Sequence, residues 1–351
     1  MKRTKIYSIL VAMLYVAAIA FFTSCEGPEG PAGKDGVDGE DGADGNATCG
    51  QCHDFSENVN AKMAQYANSQ HGKGITAFEA DRTACAPCHS SQGFREVIVS
   101  GLQATAAPIS NPTQPNCYTC HNIHATYTTN DWALRLTGPV ARWQGGDAYD
   151  RGSSNTCAQC HQFRVVTPFP DVNNLTADFS ITSKRFGPHH GPQSQLLQGQ
   201  SGFEIGFTAD ASHAHYVNND NGCVTCHMAE PFGALSGGHQ MGIYAEEEGA
   251  YNLAGCLTAG CHTDEAAVES DMEELETEIR ASMDELWNLL VAEGIANPND
   301  STYCKTGTFS NLQAGTYFNW KYMQEDRSFG IHNPIYAKQL LENSIAALQT
   351  N

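Results

Sequence analysis

The sequence predicts a mainly α protein with much irregular loop, a core filled in large part by something other than side chains, and helices gathered towards its C-terminal end. Three observations predict it. Only 41% of the 351 residues are hydrophobic, while 14 are cysteine and have to be accounted for before any fold is drawn. Up to residue 262 the chain is rich in Gly, Pro, Asn and Thr, which leaves room only for short helices, and beyond it apolar residues recur at helical spacing. The 39 Asp plus Glu against 19 Lys plus Arg give a net charge of −20, which repels phosphate backbones and argues against nucleic acid and for cationic partners.

Residues 1–24 read as an export signal. Lys2, Arg3 and Lys5 precede an apolar run from Ile6 to Phe22 that is short for a membrane span. Thr23 and Ser24 before Cys25 resemble the bacterial lipoprotein processing site, which implies that Cys25 is lipidated and holds the chain on a membrane, outside the cytoplasm; an uncleaved anchor helix is the alternative. Removing residues 1–24 takes away three cations and no anion, so the net charge moves from −20 to −23. Residues 25–46 continue with glycine at 27, 30, 33, 36, 39, 42 and 45, the Gly-X-Y period of collagen, in which only Gly fits the axis of a triple helix. Only two of the six complete triplets contain proline, so the segment reads as an acidic tether, with a trimerising stub as the alternative. Extended at ~3.1 Å per residue, its roughly twenty residues reach about 60 Å.

Residues 47–262 hold the chemistry. Cys49-Gly50-Gln51-Cys52-His53, Cys85-Ala86-Pro87-Cys88-His89, Cys117-Tyr118-Thr119-Cys120-His121, Cys157-Ala158-Gln159-Cys160-His161 and Cys223-Val224-Thr225-Cys226-His227 are five copies of C-x-x-C-H. Two thiols at this spacing add across the two vinyl groups of one haem, and the next imidazole falls beneath the iron. Zinc ribbons do not demand a histidine after every second cysteine, and thioredoxin-like pairs occur singly beside a βαβ pattern that is absent here. Cys256-Leu257-Thr258-Ala259-Gly260-Cys261-His262 has four residues between its thiols and reads as a sixth haem site. Its alternative is a haem held by Cys261 alone, with Cys256 disulfide-bonded to Cys304. Otherwise Cys304 is left over as a buried free thiol.

On these motifs the chain resembles an exported bacterial multihaem c-type cytochrome over roughly residues 47–351. Arg185-Phe186-Gly187-Pro188-His189-His190-Gly191-Pro192-Gln193 is similar to a histidine-bearing segment of such cytochromes, and Ser328-Phe329-Gly330-Ile331-His332-Asn333-Pro334 to segments in relatives of the ammonia-forming cytochrome c nitrite reductases. The resemblance implies a multihaem cytochrome c fold, whose core is a chain of packed haems, and six covalent haem c groups. In the nitrite reductases the open haem usually has lysine in place of the motif histidine, and no C-x-x-C-K exists in this chain.

Eight histidines lie outside the motifs. Two sets, His189 with His190 and His213 with His215, are near-duplicates, so six remain for six irons: His71, His124, His190, His215, His239 and His332. That count permits bis-histidine ligation throughout, opposite His53, His89, His121, His161, His227 and His262, with Met228 and Met241 as further sulfur candidates. The motifs lie too close for independent domains, so the haems must pack on one another. The stretch from Tyr127 to Val166 has strand-like pieces.

Residues 263–351 form a helical region. Met272, Leu275, Ile279, Met283, Leu286 and Leu290 mark one long helix, a second covers Tyr317–Gln324, and a third opens at Pro334 with Tyr336, Leu340, Leu341, Ile345 and Leu348 on one face. They act as a buttress on the last haems or as a homo-oligomer interface. Three functions of different class stay open. The first is an electron conduit to redox partner proteins or an external acceptor, and it is the one we favour. The second is a multihaem reductase of nitrite, hydroxylamine or a related small oxyanion, for which the charge is adverse unless cations such as Arg164, Lys184, Arg185 or Lys338 build a local funnel. The third is an assembly role through the collagen-like segment or the helices.

Overall fold

The computed structural model describes residues 50, 53, 57–208, 212–258 and 260–350. The export signal, the tether, Cys25, Cys49 and Cys52 lie outside the described residues. The chain from Asn46 to Asn351 is one compact unit of helices, irregular loops and a little sheet. Among the described residues no helix is long and apolar enough to cross a membrane.

Three helices carry the largest core. The long helix Glu265–Ala292 starts at Asp264, whose side chain accepts from the Ala267 amide, and buries Val268, Met272, Ile279, Met283, Leu286 and Leu290, one apolar stripe at helical spacing. Gly294 follows its end in the left-handed conformation that a helix stop favours. The second helix runs Asn311–Asp326, six residues longer at its start than the apolar pattern predicts. Ser310 and Gln313 form a reciprocal capping box that fixes the true beginning. The terminal helix Pro334–Gln349 opens on Pro334 and on Asn333, which accepts from the Tyr336 amide.

These helices close over side chains from the loops before them, among them Phe163, Leu196 and Phe203, all but inaccessible to solvent. Asn319, fully buried in the second helix, clamps that junction. Its carbonyl oxygen accepts from Phe203 N at 2.7 Å, while its amide donates to Phe203 O at 2.8 Å and to Ser344 Oγ at 3.0 Å. A short antiparallel pair, Asp178–Ile181 with Gly307–Ser310, sets Phe179 opposite Phe309 and closes the same core. This core of ordinary side chains was not expected from a chain of packed haems alone. The strand-like stretch Tyr127–Val166 forms no strand either. Its pairing is reduced to two isolated bridges, Val140–Tyr149 and Leu134–His121, and between Val140 and Tyr149 Arg142 turns inward to donate to Ser194 and Gln198 rather than lying along a neighbouring strand.

Gly315 lies where the second helix meets Phe203, and a Cβ there would collide with the Phe203 ring. Gly315→Ala is expected to cost about 1–3 kcal/mol by overpacking. The loss should appear in denaturant unfolding of the mature protein, with its cofactor content unchanged.

Candidate functional site

The described motifs fold as tight turns, and the same hydrogen bond recurs in them. The amide of the motif histidine donates to the carbonyl of the first cysteine: His89 to Cys85 at 3.1 Å, His121 to Cys117 at 2.9 Å and His161 to Cys157 at 2.9 Å. One helical turn puts both thiols on one side and aims the imidazole past them. The sixth motif keeps this bond despite its two extra residues, with His262 N donating to Cys256 O at 3.1 Å, so the longer loop bulges outward while its ends meet as in the others. Cys304 is free and buried elsewhere, its thiol donating to the Lys184 carbonyl at 3.3 Å, and Cys256 is free as well.

All fourteen histidines and all ten described motif cysteines line one cavity of about 2830 Å³, and Cys304 does not. Ordinary ligand pockets measure about 300–1,000 Å³. Around this cavity the imidazoles meet in twos. Ring centres lie 6.1 Å apart for His53 and His124, 6.0 Å for His71 and His161, and 6.3 Å for His121 and His239. They lie 6.4 Å apart for His215 and His262 and 6.3 Å for His227 and His332. A metal–imidazole bond of about 2.0 Å on each side, plus roughly 1.1 Å from nitrogen to ring centre, separates two imidazoles on opposite faces of one metal by roughly 6.2 Å. The donor set therefore fits a planar iron group gripped between a motif histidine and a second histidine, with two thiols at its edge. Among the described residues no group of three or more His, Cys, Asp or Glu converges as a metal-ion site of the zinc kind.

The backs of the rings are held as well. His121 Nδ1 donates to the Trp132 carbonyl at 2.6 Å, His227 Nδ1 to the Met241 carbonyl at 2.8 Å and His215 Nδ1 to the Ile331 carbonyl at 2.9 Å. His332 Nδ1 meets Asp326 Oδ1 at 2.7 Å, His190 Nδ1 meets Glu325 Oε2 at 2.7 Å, and His161 Nδ1 meets Gln193 Oε1 at 3.1 Å. His124 Nδ1 sits 2.9 Å from Tyr118 OH and His71 Nδ1 3.3 Å from Met241 Sδ. Such anchors fix the tautomer and leave Nε2 for a metal. Burial lowers the pKa of His89, His215, His227 and His239 and pushes His71 down to about 4, which favours the neutral form that ligates. His332 is the exception: burial lowers its pKa, but the charge and the hydrogen bond of Asp326 together raise it.

Several of these arrangements were not legible in advance. Of the two near-duplicate sets, His215 faces His262, while His213 caps the short helix Ala214–Val217 by accepting from the His215 amide. Met241, a sulfur-ligand candidate in the sequence, instead stands behind His71 and His227. Asp326 and Glu325 were missed, although two acids at the end of a helix oppose its dipole and so signal another task.

The motif turns also touch one another. The Cys160 thiol donates to the Pro87 carbonyl of the second motif at 3.6 Å, and Cys157 with Cys223, and Cys120 with Cys157 and Cys160, are close enough to act on one another's charge. Cys226 stands in the same relation to Cys256 and Cys261. The Cys157–Cys160 turn therefore neighbours three others.

No protein-family model matches the chain, and no curated protein matches it. Among solved structures it is similar to the crystal structure of the outer cell wall cytochrome OcwA, with 17% identity and a TM-score of 0.53. The match covers 82% of this chain and 50% of that one, so the chain spans about half the length of that solved structure. At this identity the likeness is one of fold.

Proposed function

We propose that the protein is a multihaem c-type cytochrome that passes electrons through six covalently bound haems to a redox partner or an external acceptor. The observation that carries the reading is the set of five imidazole pairs at 6.0–6.4 Å around a single cavity lined by every described motif cysteine. The pairs assign His53 with His124, His161 with His71, His121 with His239, His262 with His215, and His227 with His332. His89 is paired with the His189–His190 doublet, of which His190 has the anchored Nδ1 seen in His71, His124, His215 and His332. Thioether bonds are assigned to Cys49 and Cys52, Cys85 and Cys88, Cys117 and Cys120, Cys157 and Cys160, Cys223 and Cys226, and Cys256 and Cys261.

Haem bound there supplies reversible one-electron chemistry at iron. The chain's own part is to hold each pair of imidazoles oriented and to bring the motif turns close enough that electrons need cross only short gaps. The neighbour relations of the described turns suggest a path of motifs three, four, five and six, with motif two branching at four. Export, lipid attachment at Cys25 and an outer-membrane or cell-surface location are part of the proposal, supported by the sequence of residues 1–46 alone. Homo-oligomerisation through the C-terminal helices or the collagen-like segment belongs to it too.

A pyridine haemochrome assay on the mature protein is expected to give six haems per chain, with at least five low-spin in the oxidised state. Replacing Cys256 and Cys261 by alanine should lower the count to five. A count of five in the unaltered protein, or a high-spin majority, would overturn the assignment.

A further inference from the structure

We propose that the centre held by Cys85, Cys88 and His89 differs from the other five in having an exchangeable sixth position that takes a small anion. The inference rests on the haem reading above and concerns this chain's residues around His89.

The other five motif histidines each face one preset ring. Among the described residues, no ring pair at 6.0–6.4 Å includes His89. What stands near it is a doublet: the rings of His189 and His190 have centres 4.3 Å apart, and both act electrostatically within the His89 cluster. One face of an iron accepts one imidazole, so the two compete. His190 is a non-glycine residue at φ 47°, with Gly191 at φ 72° after it, a sparsely populated backbone for an ordinary side chain. Its ring is anchored from behind at Nδ1. Glu325, which holds His190 Nδ1, takes Lys321 Nζ at 2.7 Å through its other oxygen. Glu325 thus holds His190 from behind, as Asp326 holds His332, while its neighbour His189 crowds the same face of the centre.

Charge points the same way. In a chain of net charge −20, Arg82, Arg164 and Lys321 gather around this one centre. Arg82 is paired with Glu79 and Asp81. Arg164 makes no ion pair among the described residues. Its Nη1 lies 4.0 Å from Cys85 Sγ, and its Nε is buried without a hydrogen-bond partner. An unspent guanidinium beside a metal centre recognises an anion. It is the local basic element that the overall charge otherwise denies to this protein.

Azide, an anion at neutral pH, is the probe. Titrated into the oxidised, fully haem-loaded protein, it should alter the electron paramagnetic resonance and visible spectra of one haem per chain. Arg164→Gln should weaken that binding about tenfold or more while six haems and the other five signals stay unchanged. Replacing His189 and His190 together by alanine should leave one haem high-spin and make it bind azide more tightly. Six haems that all ignore millimolar azide, a response from more than one haem, or an affinity indifferent to Arg164→Gln would overturn the proposal. The haem count taken alongside keeps the two readings apart, since fewer than six haems counts against the cytochrome assignment and six inert ones only against this site.

Discussion

Made without the apparatus that attaches haem, or with its twelve motif cysteines changed to alanine, the chain is expected to lose its compact state between residues 57 and 262. The cavity of about 2830 Å³ is the reason. Left without the group that fills it, a space of this size forfeits the packing contacts on which folded domains depend, and these are stable by only roughly 5–15 kcal/mol. Collapse is no remedy, because its lining of cysteines and histidines comes from one-turn helices and loops with few apolar side chains of their own. The C-terminal helices should fare better, since Leu286, Leu290, Leu340 and Leu341 pack with Phe163 and Phe203 in a separate core. Far-ultraviolet circular dichroism should then keep part of its helical signal, while limited proteolysis cuts throughout the motif region. A protease-resistant apoprotein with a single cooperative transition would sink the idea that the cofactor completes the fold.

Asp326→Asn is expected to raise the midpoint potential of one haem by roughly 50–100 mV, about one to two tenfold steps at 59 mV each for one electron. The Asp326 side chain is fully buried. It takes the Nδ1 proton of His332 at 2.7 Å, the Ser328 amide at 3.0 Å and the Ser328 hydroxyl. A carboxylate behind an imidazole ligand lends it negative character and favours the oxidised metal, and an amide does so far less. Spectroelectrochemical titration should show one component displaced and the rest in place, with a stability loss of about 1–3 kcal/mol from the weakened buried hydrogen bonds. If all components move together, the substitution has disturbed the fold rather than one ligand.

What the sequence disclosed was local, and what it withheld was distant. The Cys-x-x-Cys-His turns and the stripe Met272 to Leu290 are written in spacings of three and four residues, so they stand in the chain as they stand in space. The second helix was foreshortened, because Asn311–Thr316 is buried by tertiary contacts rather than by an amphipathic period. The partners of the rings depend on closures across long stretches, such as His71 beside His161 and His121 beside His239, and no residue pattern records these. The side-chain core escaped notice for the same reason. Phe163 and Phe203 lie in loops without period, and only their meeting with Gly315 and Phe318 makes them interior.

The three-way contact of the Cys157–Cys160 turn has a consequence in network terms. Among the described turns it is an articulation point: remove it and the others fall into disconnected groups, whereas removing motif two, three or six merely trims an end. Damage at a terminus shortens the wire, and damage at this vertex breaks every route between the three arms. The side chain inside that turn, Ala158, is fully buried, and the turn is braced at its start by Asn155, which donates to the Thr137 carbonyl and to Asp150 at 2.9 Å each. Traffic between any two arms would be governed by how rigidly this small segment keeps its shape.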